Sequence, residues 1–204
     1  MSTFVFYLAL GVAVAGVQAP SQTPESRPTD KQSVNPKLSA AEVSKLRANA
    51  EAGDASPQLT LGRAYEQGNG VPQSDDSALN WYRKAADQGN PGAENRLGVM
   101  YRLGQGMSRD KEEAVRWYHK AAKQGNPEAM FNLGASYYNG DGVAVDDVTS
   151  CAWFVLAQEA GNSAADEAVR RAGSENSSML PAAFARVAEM YEAGSDLSKI
   201  LRKL

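Results

Sequence analysis

The chain has 204 residues, of which 43% are hydrophobic and 22% are charged, a balance that is ordinary for a soluble folded protein with room for one flexible segment. Its formal net charge is -3, and both signs are mixed along the sequence. The charge therefore gives no basis for sequence-independent binding to nucleic acid, which needs a concentrated basic surface.

An apolar segment opens the chain at residues 4–17, and no basic residue precedes it. It is shorter than the roughly 20 residues of a spanning helix, and small residues follow it. Cleavage by a signal peptidase is expected after Ala15, because Pro20 disfavours cleavage after Ala19. Residues 1–19 are thus interpreted as a signal peptide, which predicts export to the periplasm or outside the cell and no stable membrane insertion after cleavage. The missing basic region leaves two alternatives, an uncleaved N-terminal anchor or a misassigned start in a cytoplasmic protein.

A segment rich in proline, serine and threonine follows at residues 20–37. It has no apolar periodicity, so we predict a disordered linker. Order is predicted to begin at Ser39, which has capping-box spacing with Glu42. The helix that follows, over residues 40–52, is predicted to be the N-terminal cap of the fold, within residues 38–54.

From this point the sequence repeats every 36 residues. One glycine recurs at Gly53, Gly89, Gly125 and Gly161. A Leu-Gly-x-x-Tyr-x-x-Gly-x-Gly signature begins at Leu61, Leu97 and Leu133, and an aromatic pair begins at Trp81, Trp117 and Trp153. A period of this length indicates stacked units rather than one globular core. Each unit is predicted to be a pair of helices, and the units cover residues 55–90, 91–126 and 127–162.

The first helix of each unit, helix A, carries a glycine in its interior. In the second repeat this helix is predicted to begin near Pro91, because proline suits the first helical turn, and to end at Gly104. Gly98 lies beside Leu97 on the apolar face. A glycine inside a helix costs about 1 kcal/mol relative to alanine. Its return in every repeat therefore predicts a close approach by another helix.

The second helix, helix B, is predicted over residues 110–124 in the second repeat. Asp110 and Glu113 have capping-box spacing, and Gly125 is the expected left-handed stop. The apolar stripe comprises Ala114, Trp117, Tyr118 and Ala121. We expect the aromatic pair to fill the space between successive helix pairs. The Gly-x-Gly between helices A and B is interpreted as a turn, because a phosphate loop of this kind would follow a strand.

The signature is lost after Gly161, although helical spacing continues. One helix is predicted from Ala165, Ala168, Val169 and Ala172, and another from Leu180, Phe184, Val187 and Tyr191. A last stripe comprises Leu197, Ile200, Leu201 and Leu204. Residues 163–204 are therefore predicted to form a C-terminal helical cap, which an open-ended stack needs.

The repeated residues resemble the Sel-one-like repeat family, a branch of the tetratricopeptide-type solenoids. The second repeat fits the family pattern from Ala93 to Asn126, with Met107 where valine is usual. The first repeat departs from it at Pro57 and Ser74, and the third departs at Ser150, Phe154 and Leu156. The resemblance covers residues 55–162 and implies an all-α, right-handed superhelical solenoid of helix pairs with helical caps. It also implies adaptor or scaffold roles, often in bacterial envelope, secretion or host-interaction settings.

Such a solenoid has a concave surface, lined by the helix A residues that point away from Leu97 and Tyr101. By analogy with peptide-binding relatives, the candidate partner-binding residues are Leu59, Arg63, Glu66, Asn95, Val99, Arg102, Phe131, Ala135, Tyr138 and Asn139. Asparagine and arginine can satisfy peptide backbone groups, and Phe131 and Tyr138 can serve as apolar anchors. A solenoid has a concave face with or without a ligand, so a merely solvated surface is the alternative interpretation.

The predicted function is a non-catalytic scaffold or adaptor that binds a protein or peptide. The alternatives are a structural or regulatory subunit of a cell-envelope assembly, or a hydrolase. A hydrolase would need paired carboxylates or a nucleophile with its base, whereas the acidic residues here recur at helix starts, where the helix dipole explains them. Cys151 and His119, each the single residue of its type, lie in different repeats without a motif. We therefore predict no catalytic residue, disulfide, metal or cofactor.

Overall fold

The structure, a computed structural model, describes residues 37–175 and 178–192. The predicted signal peptide, nearly all of the predicted linker and the last stripe from Leu197 to Leu204 lie outside these residues. Within the described ranges the chain forms nine α-helices and no strand. They are α1 (Ala40–Glu51), α2 (Ala55–Gln67), α3 (Asp75–Asp87), α4 (Pro91–Leu103), α5 (Lys111–Lys123), α6 (Pro127–Asn139), α7 (Asp147–Glu159), α8 (Ala164–Glu175) and α9 (Met179–Glu192). None of them is long and apolar enough to cross a membrane.

The predicted helix pairs are present. Helices α2, α4 and α6 are the A helices, and α3, α5 and α7 are the B helices. Each A helix packs most extensively on the B helix of its own repeat, and each of α3 and α5 packs in turn on the next A helix, while α1 covers α2. This order of contacts makes the chain an all-α superhelical solenoid, as the sequence predicts.

The two predicted capping boxes have different outcomes. Ser39 forms the predicted capping box: its N–H donates to Glu42 Oε2 at 2.8 Å, and its Oγ accepts from the Glu42 N–H at 3.3 Å. Asp110 completes only half of its box. Its carboxylate accepts from the Glu113 N–H at 2.8 Å, but the Glu113 side chain accepts from Arg116 Nη1 at 2.5 Å instead of turning back.

The glycine in the middle of each A helix lies against an aromatic ring. A Cβ placed on Gly98 would lie 2.5 Å from Cε1 of Tyr118, and the same holds for Gly62 and Tyr82. The predicted close approach is therefore confirmed, and its cause is the second aromatic of the same repeat. Tyr82 and Tyr118 are fully buried inside their own helix pairs, so the expectation that both aromatics lie between pairs is wrong for the second one.

The first aromatics of the second and third repeats have different surroundings from the second aromatics. Trp117 of α5 packs against the core cluster formed by α3 of the first repeat and by α4. The centroids of the Trp153 and His119 rings lie 5.5 Å apart in an edge-on arrangement. Trp153 thus joins the third repeat to the second, while the second aromatics fill the repeats themselves.

In the second and third repeats, the second glycine of the Gly-x-Gly makes a further contact with the preceding repeat. A Cβ on Gly106 would lie 3.1 Å from the carbonyl carbon of Asp75, at the start of α3. A Cβ on Gly142 would collide with the Lys111 carbonyl and would lie 2.7 Å from the Glu112 nitrogen, at the start of α5. The turn interpretation is confirmed, and the turns of the second and third repeats rest directly on the backbone of the preceding B helix.

A polar pair with a buried acceptor recurs in the first two repeats and disappears in the third. Gln88 Nε2 donates to Gln58 Oε1 at 2.7 Å, and Gln124 Nε2 donates to Glu94 Oε2 at 2.7 Å. Both acceptor side chains are buried, and burial raises the pKa of the Glu94 carboxyl. The equivalent residues of the third repeat are Met130 and Ala160. The third repeat is therefore more apolar than the others.

The C-terminal cap explains that difference. Both α8 and α9 pack on α7, and α9 contacts α7 more extensively than it contacts α8. Helix α7 is consequently covered on several sides. Its buried residues are Thr149, Ser150, Cys151, Ala152, Trp153, Val155, Leu156 and Ala157. A helix enclosed in this way favours apolar side chains, because each buried polar group would need a partner.

The cap helices use only part of their predicted apolar faces. Ala165 of α8 and Ala183 and Val187 of α9 are buried, and Leu180 is half-buried against α7 and its neighbours. Phe184 was predicted on the same inward face, but 47% of it is exposed. That prediction is wrong because the core-facing stripe of α9 centres on Ala183 and Val187. The side chain of Tyr191, the fourth member of the face, lies outside the described residues.

Candidate partner-binding face

The ten predicted partner-binding residues lie on the three A helices, as expected, but they differ in exposure. Arg63, Tyr138 and Asn139 are exposed, and Asn95 is buried. The half-buried members are Leu59, Glu66, Val99, Arg102, Phe131 and Ala135.

Several of these residues join neighbouring A helices. Asn132 Nδ2 of α6 donates to Asn95 Oδ1 of α4 at 2.9 Å. Arg96 of α4 lies 3.6 Å from the Glu66 carboxylate of α2. The structure thus brings α2, α4 and α6 side by side in one surface. Asn95 is only 7% exposed, so its amide serves the contact between helices rather than an incoming partner.

One row of this surface is tied to the buried aromatics. In the first repeat the Tyr82 hydroxyl donates to Glu66 Oε2 at 2.5 Å. Burial, followed by this bond to Glu66, raises the pKa of Tyr82. In the second repeat Arg102 Nε donates to the Tyr118 hydroxyl at 3.3 Å. Burial raises the pKa of Tyr118, and Arg102 opposes that effect. Both helix A side chains are therefore held by a tyrosine below them.

The third repeat breaks this row. Phe154 stands at the position of the buried tyrosine and has no hydroxyl. The centroid of its ring lies 5.2 Å from that of Phe131. Tyr138 occupies the position equivalent to Glu66 and Arg102, and Phe154 offers it no hydroxyl of the kind that Tyr82 and Tyr118 provide. Its side chain is 44% exposed, and among the described residues its hydroxyl makes no hydrogen bond. Tyr138 is therefore an outward-facing aromatic whose polar end has no partner in the described part of the chain.

Two further apolar residues of the second and third repeats are exposed. Leu103, at the end of α4, is 50% exposed, and Val145, in the turn after α6, is 61% exposed. A Cβ on Gly140 would lie 3.0 Å from Val145 Cγ2, which places this valine beside the end of α6. Sequence reasoning missed both residues. The available signal was an apolar residue where the equivalent positions carry polar ones: Gln67 and Asn139 for Leu103, and Gln73 and Arg109 for Val145.

The repeated helix pairs also match a known family. The family model of the Sel1 repeat matches residues 58–90, 91–126 and 127–162. The chain belongs to the Sel1 repeat family. Its members are generally protein-interaction scaffolds and are typically non-catalytic, and the matched residues correspond to the three helix pairs from α2 to α7.

Solved structures agree with this assignment. A Sel1 repeat protein from Oxalobacter formigenes shares 40% identity with a TM-score of 0.57, over 63% of this chain and 97% of that one. A protective antigen of uropathogenic Escherichia coli with an SLR fold shares 38% identity with a TM-score of 0.63, over 72% of this chain and 33% of that one, so the present chain spans about a third of it. Helicobacter pylori cysteine rich protein B, at 18% identity and a TM-score of 0.53 over 61% of this chain and 92% of that one, supports the fold alone. No curated protein matches the chain.

The single histidine and cysteine of this Sel1 repeat protein serve packing. Burial, together with nearby Lys123, lowers the pKa of His119, which lies against Trp153. Burial raises the pKa of the Cys151 thiol, which disfavours the reactive thiolate. Within residues 37–175 and 178–192, no group of three His, Cys, Asp or Glu side chains is placed to hold a metal ion.

Proposed function

We propose that this Sel1 repeat protein is a non-catalytic adaptor that binds a peptide or protein partner on the face formed by α2, α4 and α6. The observation that carries the proposal is Tyr138. Its equivalents in the other repeats are bonded to a buried tyrosine, whereas Tyr138 faces outward and its hydroxyl makes no hydrogen bond with the described residues. The general role of Sel1 repeat proteins as interaction scaffolds supports the same conclusion.

The chemistry around Tyr138 suits a binding surface. Tyrosine is enriched at energetic hot spots because it combines a large apolar ring with a polar end. Leu103 adds exposed apolar area at the end of α4 and Val145 adds it in the turn after α6, while Arg63 of α2 and Asn139 of α6 add exposed polar groups. An apolar centre bordered by polar side chains is the usual composition of a protein interface.

Partner capture from the native envelope fraction, with the full chain as bait, tests this proposal. Tyr138→Ala is expected to reduce capture at least tenfold, because truncating a hot-spot aromatic typically costs about 2 kcal/mol or more. Helical circular dichroism should not change, since Tyr138 makes no hydrogen bond among the described residues. A captured protein complex would favour an assembly subunit, and a peptide-sized ligand would favour a receptor.

The matched control is Phe184→Ala on α9, which removes an aromatic of similar exposure, 47% against 44%, outside the A-helix face. It should leave capture unchanged. His119 is unsuitable as a control because its ring packs against Trp153. If Tyr138→Ala captures the partner at the wild-type level, the partner does not bind through Tyr138 on the face formed by α2, α4 and α6. The caps and loops would then be the better candidate binding sites.

We also propose that the chain is exported, on the basis of the apolar segment at residues 4–17 and the small residues that follow it. Intact-mass measurement on protein purified from the native host is expected to give a mature chain that begins at Gly16, or at Pro20 if cleavage occurs at the second site. A full-length cytosolic species that begins at Met1 or Ser2 would contradict export. This measurement is independent of partner binding.

A further inference from the structure

We infer that the A-helix face binds an extended peptide that carries a carboxylate beside an apolar side chain. This inference rests on the proposed function and specifies the chemistry of the partner. The surface concerned comprises Arg102, Leu103, Arg109, Tyr138 and Val145, and is called the Arg–Tyr strip below.

Among the described residues, no carboxylate pairs with the basic half of the strip. Arg102 donates through Nε to the Tyr118 hydroxyl, and within the described residues no carboxylate lies in ion-pair distance of it. Arg109 is exposed and is likewise without an ion pair there. The acidic group whose charge reaches the Tyr118 hydroxyl is Asp141, and its carboxylate is engaged by Lys111. Arg96, elsewhere on α4, does have a partner, Glu66.

The apolar half lies one repeat further along the stack. Tyr138 occupies the position equivalent to Arg102, and Val145 the position equivalent to Arg109. The two turn residues are placed alike, since Cβ atoms on Gly104 and Gly140 would lie 3.2 Å from Arg109 Cβ and 3.0 Å from Val145 Cγ2. Two arginines on the second repeat are thus followed by two apolar side chains on the third.

The adjoining A helices make this arrangement one surface. Asn95 and Asn132 connect α4 to α6 at 2.9 Å, and Leu103, half exposed, ends α4 beside Arg102. A peptide that runs along the stack would meet cations first and apolar side chains next. A guanidinium presents a planar set of donors that matches a carboxylate. An exposed tyrosine and valine favour an aromatic or aliphatic side chain.

The Arg102 guanidinium is also oriented in advance. Its bond to the buried Tyr118 fixes Nε, while the Nη groups make no hydrogen bond with the described residues. A donor that is already held in place loses less conformational entropy when a ligand binds. The strip therefore combines an oriented cation, an exposed cation and an apolar anchor, which together select an acidic, partly apolar segment over a basic one.

Selection of a random peptide library on the full chain tests the inference. Enriched peptides are expected to carry Asp or Glu beside an aromatic or aliphatic residue. Arg109→Glu and Tyr138→Ala should each weaken binding of a synthetic representative by about tenfold. A version of that peptide with Lys in place of its acidic residue should bind Arg109→Glu better than it binds the wild type. Arg83→Glu, a charge reversal at an exposed arginine of α3, and Phe184→Ala should leave binding unchanged.

The outcomes separate the inference from the proposed function. Peptides without acidic residues whose binding still depends on Tyr138 would overturn the inferred chemistry and leave the binding face intact. Peptides whose binding is indifferent to both Tyr138→Ala and Arg109→Glu would overturn the face as well. Failure to enrich any peptide, while native capture still depends on Tyr138, would overturn the extended-peptide inference alone.

Discussion

Replacement of Gly98 with valine is expected to destabilise the protein by about 3 kcal/mol, at the upper end of typical overpacking costs. A Cβ at this position would lie 2.5 Å from Tyr118 Cε1 and 3.1 Å from the Ala114 carbonyl oxygen. The tyrosine is fully buried and its hydroxyl is bonded to Arg102, so the ring has little freedom to move away. Thermal unfolding should show a melting temperature lower by about 6–12 °C for a chain of this size.

A suitable control is Arg83→Val, which places the same residue at an exposed position of a helix. Its cost should be limited to the difference in helix propensity, a few tenths of a kcal/mol. Gly98→Ala should fall between the two, since it brings only the first of the added carbons against the ring. A melting temperature of Gly98→Val equal to that of the wild type would show that the close contact with Tyr118 is not needed.

Gly142→Ala is expected to be comparably severe, with a loss of about 3–5 kcal/mol. Two costs combine at this position. The backbone has φ +74°, which L-residues with a side chain adopt unfavourably. The added Cβ would also collide with the Lys111 carbonyl and lie 2.7 Å from the Glu112 nitrogen. Because these are backbone atoms of a packed helix, the turn of the third repeat would have to lift away from the second. Denaturant unfolding measures the loss directly.

Gly125→Ala separates the two costs. Gly125 also has a positive φ, +84°, but nothing lies within 4 Å of the position of its Cβ. It should therefore show only the backbone cost of about 1–2 kcal/mol. Equal losses in the two variants would mean that backbone strain accounts for both, and that the contact between repeats at Gly142 contributes nothing to stability.

Much of the fold was predictable from residues close together in the sequence. The 36-residue period indicates the three helix pairs, and Ser39, Pro91 and Gly104 mark helix ends that the structure confirms. These signals succeed because helix caps and left-handed stops depend on groups within one turn of the helix. Gly98 was also informative, since a glycine retained in a helix at a cost indicates a close contact. The sequence did not show that the contacting group is Tyr118 of the same repeat.

The tertiary structure decided which of the predicted face residues are available. Asn95 belonged to the predicted face, but its side chain is buried and its amide oxygen accepts a hydrogen bond from Asn132 of the next repeat. Leu103, at the end of α4, and Val145, in the turn after α6, were not predicted as part of the binding face, yet both are exposed. Tyr138 was predicted, but its significance depends on Phe154, sixteen residues away in α7, which cannot hold it as Tyr118 holds Arg102. Such pairings depend on which helices pack together.

The C-terminal cap is a second case in which the sequence predicted the helices but not the side chains that face the core. Helical spacing in the sequence predicted α8 and α9, and both are present. The spacing also placed Phe184 inward, whereas the packing of α9 on α7 turns Ala183 and Val187 to the core and leaves Phe184 exposed. An amphipathic pattern defines an apolar face only approximately, because residues at its edge point inward or outward according to the helix they meet. The sequence alone therefore determined the helices and their order, and the contacts between helices determined which side chains remain free to bind.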